Sequence, residues 1–186
     1  MKFLDELCAV APPPAQPRSV AWDDPAWLEL VNRLGTRLPE DFVQFKKVYG
    51  DGAFQSRTHK WYGYLDVWSG IGDASFQIKV ASALGELRLI RERRPKALPV
   101  PLYWEPGGFL PCGGSGNNSW IGWEVRGDLI DDWPVLVVRP ASRKVERYEM
   151  ALTEFLGGLF SGRLKSELVH EGVPGKKGMD FYAAKP

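Results

Sequence analysis

The segment 38–54, LPEDFVQFKKVYGDGAF, constrains the fold more than any other part of the chain. Pro39 suits the first position of a helix, and Glu40 and Asp41 place negative charge where the helix dipole favours it. Gly50 can adopt the left-handed conformation that ends many helices. Four apolar residues recur at helical spacing: Phe42, Phe45, Val48 and Tyr49. The segment therefore predicts a short capped helix that packs by an aromatic face.

Length and composition are typical of one soluble globular domain. The chain has 186 residues, of which 44% are hydrophobic and 25% are charged. A net charge of +1 gives no argument for nucleic acid or for an anionic membrane as a partner. No apolar run approaches the roughly 20 residues of a membrane span, and acids near the N-terminus do not suit a signal peptide. We expect a cytoplasmic protein.

The residues that carry metal and redox chemistry are scarce. Cys8 and Cys112 are too few for a disulfide framework or a four-cysteine zinc site, and His59 and His170 lie far apart in the sequence. The glycine-rich stretch 113–116 has neither the P-loop nor the dinucleotide-binding spacing. We therefore expect no catalytic residue, no metal and no cofactor.

Helix and strand patterns follow one another in an order that predicts an α+β fold. Besides the first helix, helical patterns occupy about 3–8, 24–35, 75–93 and 150–160. Strand patterns occupy 61–68, 101–105, 108–112, 119–125, 133–138 and 144–148, with a turn at 113–118. The continuous apolar run at 133–138 favours a central strand, and the alternation at 144–148 favours an edge strand. Because the late strands are joined by short gaps, we expect a mainly antiparallel sheet with helices packed against it.

Proline and glycine divide the chain into three parts. Residues 1–21 predict an N-terminal helix and a proline-rich connector, since consecutive prolines favour an extended chain. Residues 22–162 predict the compact domain. Residues 163–186 predict a C-terminal tail that is ordered in part at most, with Phe181 and Tyr182 as an aromatic pair able to dock on the domain.

Three segments, taken in order, resemble the SUKH superfamily. They are the helix 38–54, the glycine-rich strand turn 109–120 and the closing helix pattern 152–156. The superfamily includes Syd-like proteins, a yeast cell-wall regulator and many bacterial immunity proteins that neutralise polymorphic toxins. The resemblance covers roughly 28–162, with Cys112 and Leu152 where the family often has aromatic residues. It implies a SUKH-like α+β domain without enzymatic activity, which binds and occludes a cognate toxin.

Two other functions remain open at this point. The same resemblance permits an adaptor or regulatory protein that binds a cellular partner, since a fold does not fix a function. The third is an enzyme of unknown type, for which loop acids such as Asp66 and Asp73 would act as an acid–base pair. Gene context discriminates between the first two functions, and a deep pocket lined by perturbed acids would favour the third.

Two clusters are candidate binding surfaces for a protein partner. The acidic stretch 124–132 lies between Trp123 and Trp133, and acids beside aromatic residues suit a basic partner. The alternative interpretation of this stretch is a polar loop that covers a buried tryptophan pair. The second cluster is the aromatic run 61–68, which a strand would divide between its two faces. The candidates are Trp61, Tyr62, Tyr64, Trp68, Glu124, Asp128, Asp131 and Asp132.

The end of the helix pattern 75–93 is the most basic part of the chain. Arg88, Arg91, Arg93, Arg94 and Lys96 lie within nine residues of sequence. This cluster is a natural candidate for phosphate contact. The alternative is a solvated helix end, because cations suit the carboxyl end of a helix and no aromatic residue lies within the cluster to stack on a base.

Overall fold

A computed structural model describes residues 2–15, 25–50, 52–59, 63–68 and 75–183. Its α-helices are α1 (Lys2–Val10), α2 (Pro25–Leu34), α3 (Glu40–Tyr49), α4 (Ser75–Arg93) and α5 (Leu152–Ser161). Its strands are β1 (Gly52–Ser56), β2 (Tyr64–Val67), β3 (Phe109–Ser115), β4 (Ser119–Glu124), β5 (Val135–Arg139), β6 (Lys144–Tyr148) and β7 (Met179–Ala183). Short 3₁₀ helices lie at Pro95–Ala97, Ile130–Asp132 and Pro140–Ser142.

The described strands form one antiparallel sheet in the order β6-β5-β4-β3-β2-β1-β7. Every neighbouring pair is antiparallel. The predicted α+β class with a mainly antiparallel sheet is therefore confirmed. β6 is an edge strand, as its alternation predicts. β5 is an interior strand next to that edge, and its four apolar residues are all buried.

Helices α3 and α5 cover one face of the sheet through aromatic contacts. Phe42 of α3 meets Trp123 of β4 edge to face, with ring centroids 5.2 Å apart. Phe45 of α3 and Phe160 of α5 both contact Phe54 of β1, at 6.0 and 4.7 Å. The helical spacing of Phe42 and Phe45 thus places one aromatic face against the sheet, as the sequence predicts.

Helix α4 lies on the opposite face. Trp120 and Trp123 are three residues apart on β4, so their side chains point to opposite faces of the sheet. Trp120 lines a groove together with Ile90 and Arg93 of α4. The sheet therefore lies between α4 and the pair α3 and α5, and at the start of α4 the ring of Phe76 reaches Phe42 of α3, with ring centroids 5.7 Å apart.

Helix α1 belongs to the same core and packs on α5. Leu7 is fully buried, and its backbone nitrogen lies 3.6 Å from the position that a Cβ on Gly157 would take. Residues 16–21 of the predicted connector lie outside the described residues, as do residues 22–24. Among the residues described, no helix combines the length and apolar character that are needed to cross a membrane.

Two features of the strands differ from the sequence predictions. Strand β1 was not predicted, because Phe54 is its single large apolar residue. Residues 101–105 form a turn that contributes only an isolated bridge from Leu102 to Phe109. The backbone N–H of Glu105 donates to the carbonyl of Leu102 at 2.9 Å, which closes the chain into a turn instead of a strand.

The glycine-rich stretch is strand for half of its length. β3 continues through Ser115, and the turn is confined to residues 116–118. A Cβ on Gly113 would lie only 2.2 Å from the carbonyl oxygen of Asp66 on β2. Glycine is needed here for the close approach of two strands, a use that a turn prediction misses.

The C-terminal segment supplies the other edge of the sheet. β7 pairs with β1, with Phe181 opposite Phe54. The ring of Phe181 lies 5.0 Å from those of Tyr49 and Phe54, so this member of the aromatic pair docks on the domain. Tyr182 points to the other face and is 51% exposed. β7 is part of the sheet, whereas the sequence predicts a tail that is ordered in part at most.

Candidate functional site

The connection between β4 and β5 carries most of the predicted acidic residues. Trp123 and Trp133, which flank it, are only 1% and 3% exposed. The Nε1–H group of Trp133 donates to the carbonyl of Arg126 at 2.9 Å and ties the loop to the core. The tryptophans therefore lie beneath the loop and are not part of its exposed surface.

An exposed leucine lies at the tip of this loop. Leu129 is 72% exposed and stands between the exposed Asp128 and Asp132. Neither aspartate side chain forms a hydrogen bond or an ion pair with another described residue. Backbone hydrogen bonds hold the turn, from Ile130 to Asp128 at 3.2 Å and from Asp132 to Leu129 at 3.0 Å. We call Asp128, Leu129 and Asp132 the loop tip.

The other two acidic candidates have structural partners. The Oδ1 atom of Asp131 accepts a hydrogen bond from the backbone N–H of Glu40 at 2.7 Å, at the first residue of α3. Asp131 therefore caps that helix from another part of the fold. Glu124 pairs with Arg147, with 3.0 Å between the carboxylate and Nε. Asp128 and Asp132 are the two of these four acids whose side chains have no partner among the described residues, although Asp131 is also exposed.

A groove of about 420 Å³ lies beside this loop and is lined by Glu40, Asp41 and Asp131. Burial raises the pKa of the Asp41 carboxyl above its ordinary value, although hydrogen bonds from Thr153 and Phe42 act in the opposite direction. Asp41 Oδ2 accepts the backbone N–H of Thr153 at 2.9 Å, near the start of α5. Asp41 and Asp131 thus both cap helices.

The aromatic run 61–68 is exposed only in part. Tyr64 is 42% exposed, whereas Trp68 is 7% exposed and meets Trp120 edge to face at 5.7 Å. Trp68 therefore presents little surface to a partner, because its side chain is buried against Trp120. Trp61 and Tyr62 lie outside the described residues. The sheet register places Tyr64 on the same face as the exposed Tyr182 of β7.

Several exposed apolar residues were not among the partner-binding candidates from the sequence: Ile78, Leu89, Trp104, Leu129 and Tyr182. A single leucine in a polar loop has no periodic pattern, so its exposure can be read only from the fold. Tyr182 lies in the segment predicted as a tail. The acids on either side of Leu129 were the one available signal.

The described residues contain no group of three or more His, Cys, Asp or Glu side chains placed to hold a metal ion. The two histidines do approach each other around Gly172. A Cβ there would lie 3.0 Å from Nδ1 of His170 and 3.1 Å from the Cβ of His59. Nδ1 of His170 accepts the backbone N–H of Gly172 at 2.9 Å, so this nitrogen is used in a local turn.

No family model, curated protein or solved structure matched the chain when each was compared with it.

Proposed function

We propose that this chain is a non-enzymatic protein-binding module that engages a basic partner through the loop tip. The observation that carries the proposal is Leu129, which is 72% exposed between two aspartates. An apolar anchor supplies affinity when a partner buries it, and charges at its rim steer the encounter. Asp128 and Asp132 would provide that steering towards lysine or arginine side chains.

The loop tip is held in place before any partner arrives. Asp131 fastens one side of it to α3, and the indole of Trp133 fastens the other side to Arg126. Arg126 in turn pairs with Glu149 at 2.7 Å. Binding to a loop ordered in this way costs less conformational entropy than binding to a mobile one.

The partner that we propose is a cognate polymorphic toxin, which this module neutralises by surface occlusion in the bacterial cytoplasm. The support is the resemblance of 38–54, 109–120 and 152–156 to the SUKH superfamily. These segments correspond to α3, the β3–β4 hairpin and α5, which lie together in one core. Occlusion requires a complementary surface and no catalytic group, which agrees with the structural use of Asp41 and Asp131.

The test is co-expression with the toxin encoded beside the gene. The native chain is expected to restore growth and to co-purify with the toxin. Leu129→Asp, and the double variant Asp128→Lys with Asp132→Lys, should each weaken binding by roughly 30-fold or more, as the loss of a hot spot does. Glu171→Lys is the matched control, because Glu171 is also an exposed loop acid but lies outside the loop tip. It should bind as the native chain does.

The possible results of this experiment test the immunity function, the adaptor function and the binding surface separately. If the chain neither restores growth nor co-purifies with the toxin, the immunity function is overturned. Capture of a host protein through an intact loop tip would instead support the adaptor function on the same fold. Full toxin binding by both loop-tip variants would show that another surface is used.

A further inference from the structure

A second groove, of about 400 Å³, lies beside the end of α4. It is on the sheet face opposite α3 and has the turn after β3 on its other side. Ile90 and Ala141 supply apolar lining, and four polar or charged side chains also line it: Glu86, Arg93, Arg94 and Asn118. The volume is within the range of roughly 300–1,000 Å³ that is usual for small-ligand pockets.

Trp120 of β4 gives this groove an aromatic surface. Its indole is half-buried and is fixed edge to face against Trp68, at 5.7 Å and an interplanar angle of 74°. The remaining exposed part lines the groove. A fixed indole with a free surface is a stacking platform for a planar ring such as a nucleobase. The basic cluster lacks an aromatic residue in the sequence, and the fold supplies one from a distant strand.

Two arginines in the groove are available to an anion. Arg91 pairs with Glu105 at 2.5 Å, but neither Arg93 nor Arg94 forms an ion pair with another described residue. The dipole at the carboxyl end of α4 is equivalent to about half a negative elementary charge, which favours cations. The two guanidinium groups carry more positive charge than this dipole balances, so positive charge remains for a ligand. Their planar N–H donors match the oxygen atoms of a phosphate.

Glu86 and Asn118 also line the groove, and their side chains restrict which kind of anionic ligand is complementary to it. A ligand that offers only negative charge would be repelled by the carboxylate of Glu86. A carboxylate accepts hydrogen bonds from the exocyclic amino group of a base, and an amide can both donate to a base edge and accept from it. The complementary ligand therefore combines a planar ring, an amino group and a phosphate.

We propose that this groove binds a nucleotide with an amino-bearing base. The base stacks on Trp120 with its amino group towards Glu86, and the phosphate lies between Arg93 and Arg94. A free mononucleotide and a nucleotide within a single strand present the same chemistry. The inference does not depend on the function proposed for the loop tip, which lies in a separate part of the fold.

The test is calorimetric titration of the full chain with AMP, IMP, CMP, UMP and inorganic phosphate. AMP and CMP are expected to bind at one site. IMP and UMP should bind about tenfold more weakly, because a carbonyl oxygen replaces the amino donor and places one acceptor opposite another at Glu86. Glu86→Gln should reduce this difference between the paired nucleotides.

Substitutions of groove residues test whether AMP binds in this groove. Arg93→Gln, Arg94→Gln and Trp120→Leu should each weaken AMP binding by roughly tenfold, through the loss of a charge-assisted hydrogen bond or of stacking. Arg88→Gln is the matched control, because Arg88 is an exposed arginine of the same helix and does not line the groove. Its affinity for AMP should be unchanged. Circular dichroism establishes that each variant keeps the native fold.

A short oligoadenylate distinguishes the two sources of the ligand. Tighter binding than AMP identifies a single strand, and equal or weaker binding identifies a free nucleotide. The proposal is overturned if AMP binds no more tightly than inorganic phosphate, or if Arg88→Gln weakens binding as much as Arg93→Gln. Tighter binding of a glutamate-rich peptide than of AMP would also overturn it and would make the groove a docking site for an acidic protein.

Discussion

Two core helices are capped at their amino ends by carboxylates from other elements of the fold. Asp131, in the loop between β4 and β5, caps α3. Asp41, in the first turn of α3, accepts a hydrogen bond from Thr153 near the start of α5. One free N–H group at the start of each helix is thus satisfied by a carboxylate that is distant in sequence. The acidic loop, α3 and α5 are linked in this way.

Replacement of Asp41 tests this linkage. Asp41→Ala removes the acceptor and should lower the free energy of unfolding by about 1 kcal/mol, as the loss of a helix cap does. Asp41→Asn keeps an acceptor oxygen and should cost less. Urea unfolding at neutral pH measures both. Equal losses for the two variants would contradict a capping role.

The pH dependence of the same position has a definite sign. Burial raises the pKa of Asp41 above its ordinary value of 3.8, so the folded state holds this proton more tightly than the unfolded state does. The stability gained from the proton is present below the unfolded value and is lost as the pH rises through the folded value. The difference in unfolding free energy between Asp41→Asn and the native chain should therefore shift in favour of the variant as the pH rises from about 3 to about 7. Unfolding free energies that remain parallel over this range would contradict it.

The two thiols should differ in reactivity. Cys112 is 1% exposed, and burial raises the pKa of its thiol well above the usual range, whereas Cys8 is partly exposed. Because the thiolate is the reactive form, a maleimide should label Cys8 of the folded protein and should label Cys112 only after unfolding. Mass spectrometry of the Cys8→Ser variant provides the check. Rapid labelling of that variant without denaturant would contradict the burial of Cys112.

At the scale of elements, glycines set how closely two of the strands approach. A Cβ on Gly122 would lie 2.0 Å from the carbonyl oxygen of Leu110 and 2.7 Å from the Cα of Pro111. A side chain there would therefore push β4 away from β3. Gly85 of α4 is the opposite case, since a Cβ would meet nothing within 4 Å.

Alanine at these two positions should act in opposite directions. Gly122→Ala should lower the unfolding free energy by several kcal/mol, on the order of a severe core substitution, because backbone must move. Gly85→Ala should raise it by roughly 0.5–1 kcal/mol, because alanine is the better residue within a helix. Thermal unfolding of the two variants measures this contrast. A loss of stability in Gly85→Ala would mean that the outer face of α4 does not tolerate a methyl group.

The sequence predicts an element well where its pattern is local. Helices α3, α4 and α5 have apolar spacing and end signals that appear within a single segment. β1 does not, because its sequence GAFQS becomes a strand by pairing with both β2 and β7. Gly113 resembles a turn residue for the same reason, since its close neighbour Asp66 is far away in sequence. Long-range pairing decides such segments.

The candidate site shows the same contrast between what a local sequence pattern indicates and what long-range contacts decide. Composition indicated the acidic stretch, but the different tasks of Asp128 and Asp131 depend on what each carboxylate can reach. Asp131 lies against the first N–H of α3, whereas Asp128 lies in solvent. The groove at α4 depends even more on the fold, because it joins Arg93 to Trp120 across the sequence.

For the molecule as a whole, the sheet separates the two proposed surfaces. The loop tip follows β4 next to α3, and the nucleotide groove lies under α4 on the other face. Neither surface uses the C-terminal segment, which instead completes the core. Leu168 and Met179 are 1% and 0% exposed, and Phe181 covers Tyr49 and Phe54.

Removal of the residues after Gly162 should therefore prevent folding. Burial of each large apolar side chain contributes about 1.5–3 kcal/mol, and a domain is stable by only about 5–15 kcal/mol in total. The loss of Leu168, Met179 and Phe181 together approaches that margin and also exposes the edge of β1. We expect the shortened chain to lack a cooperative thermal transition in calorimetry and to aggregate.

A substitution within the same strand is the control for this deletion. Tyr182 is 51% exposed and faces away from Tyr49 and Phe54, so Tyr182→Ala should change stability by no more than about 0.5 kcal/mol. Phe181→Ala, one residue before it, should lose several times as much, because its ring contacts two core rings. If the shortened chain unfolded cooperatively near the native midpoint, the last strand would be an attachment to the domain rather than part of its core.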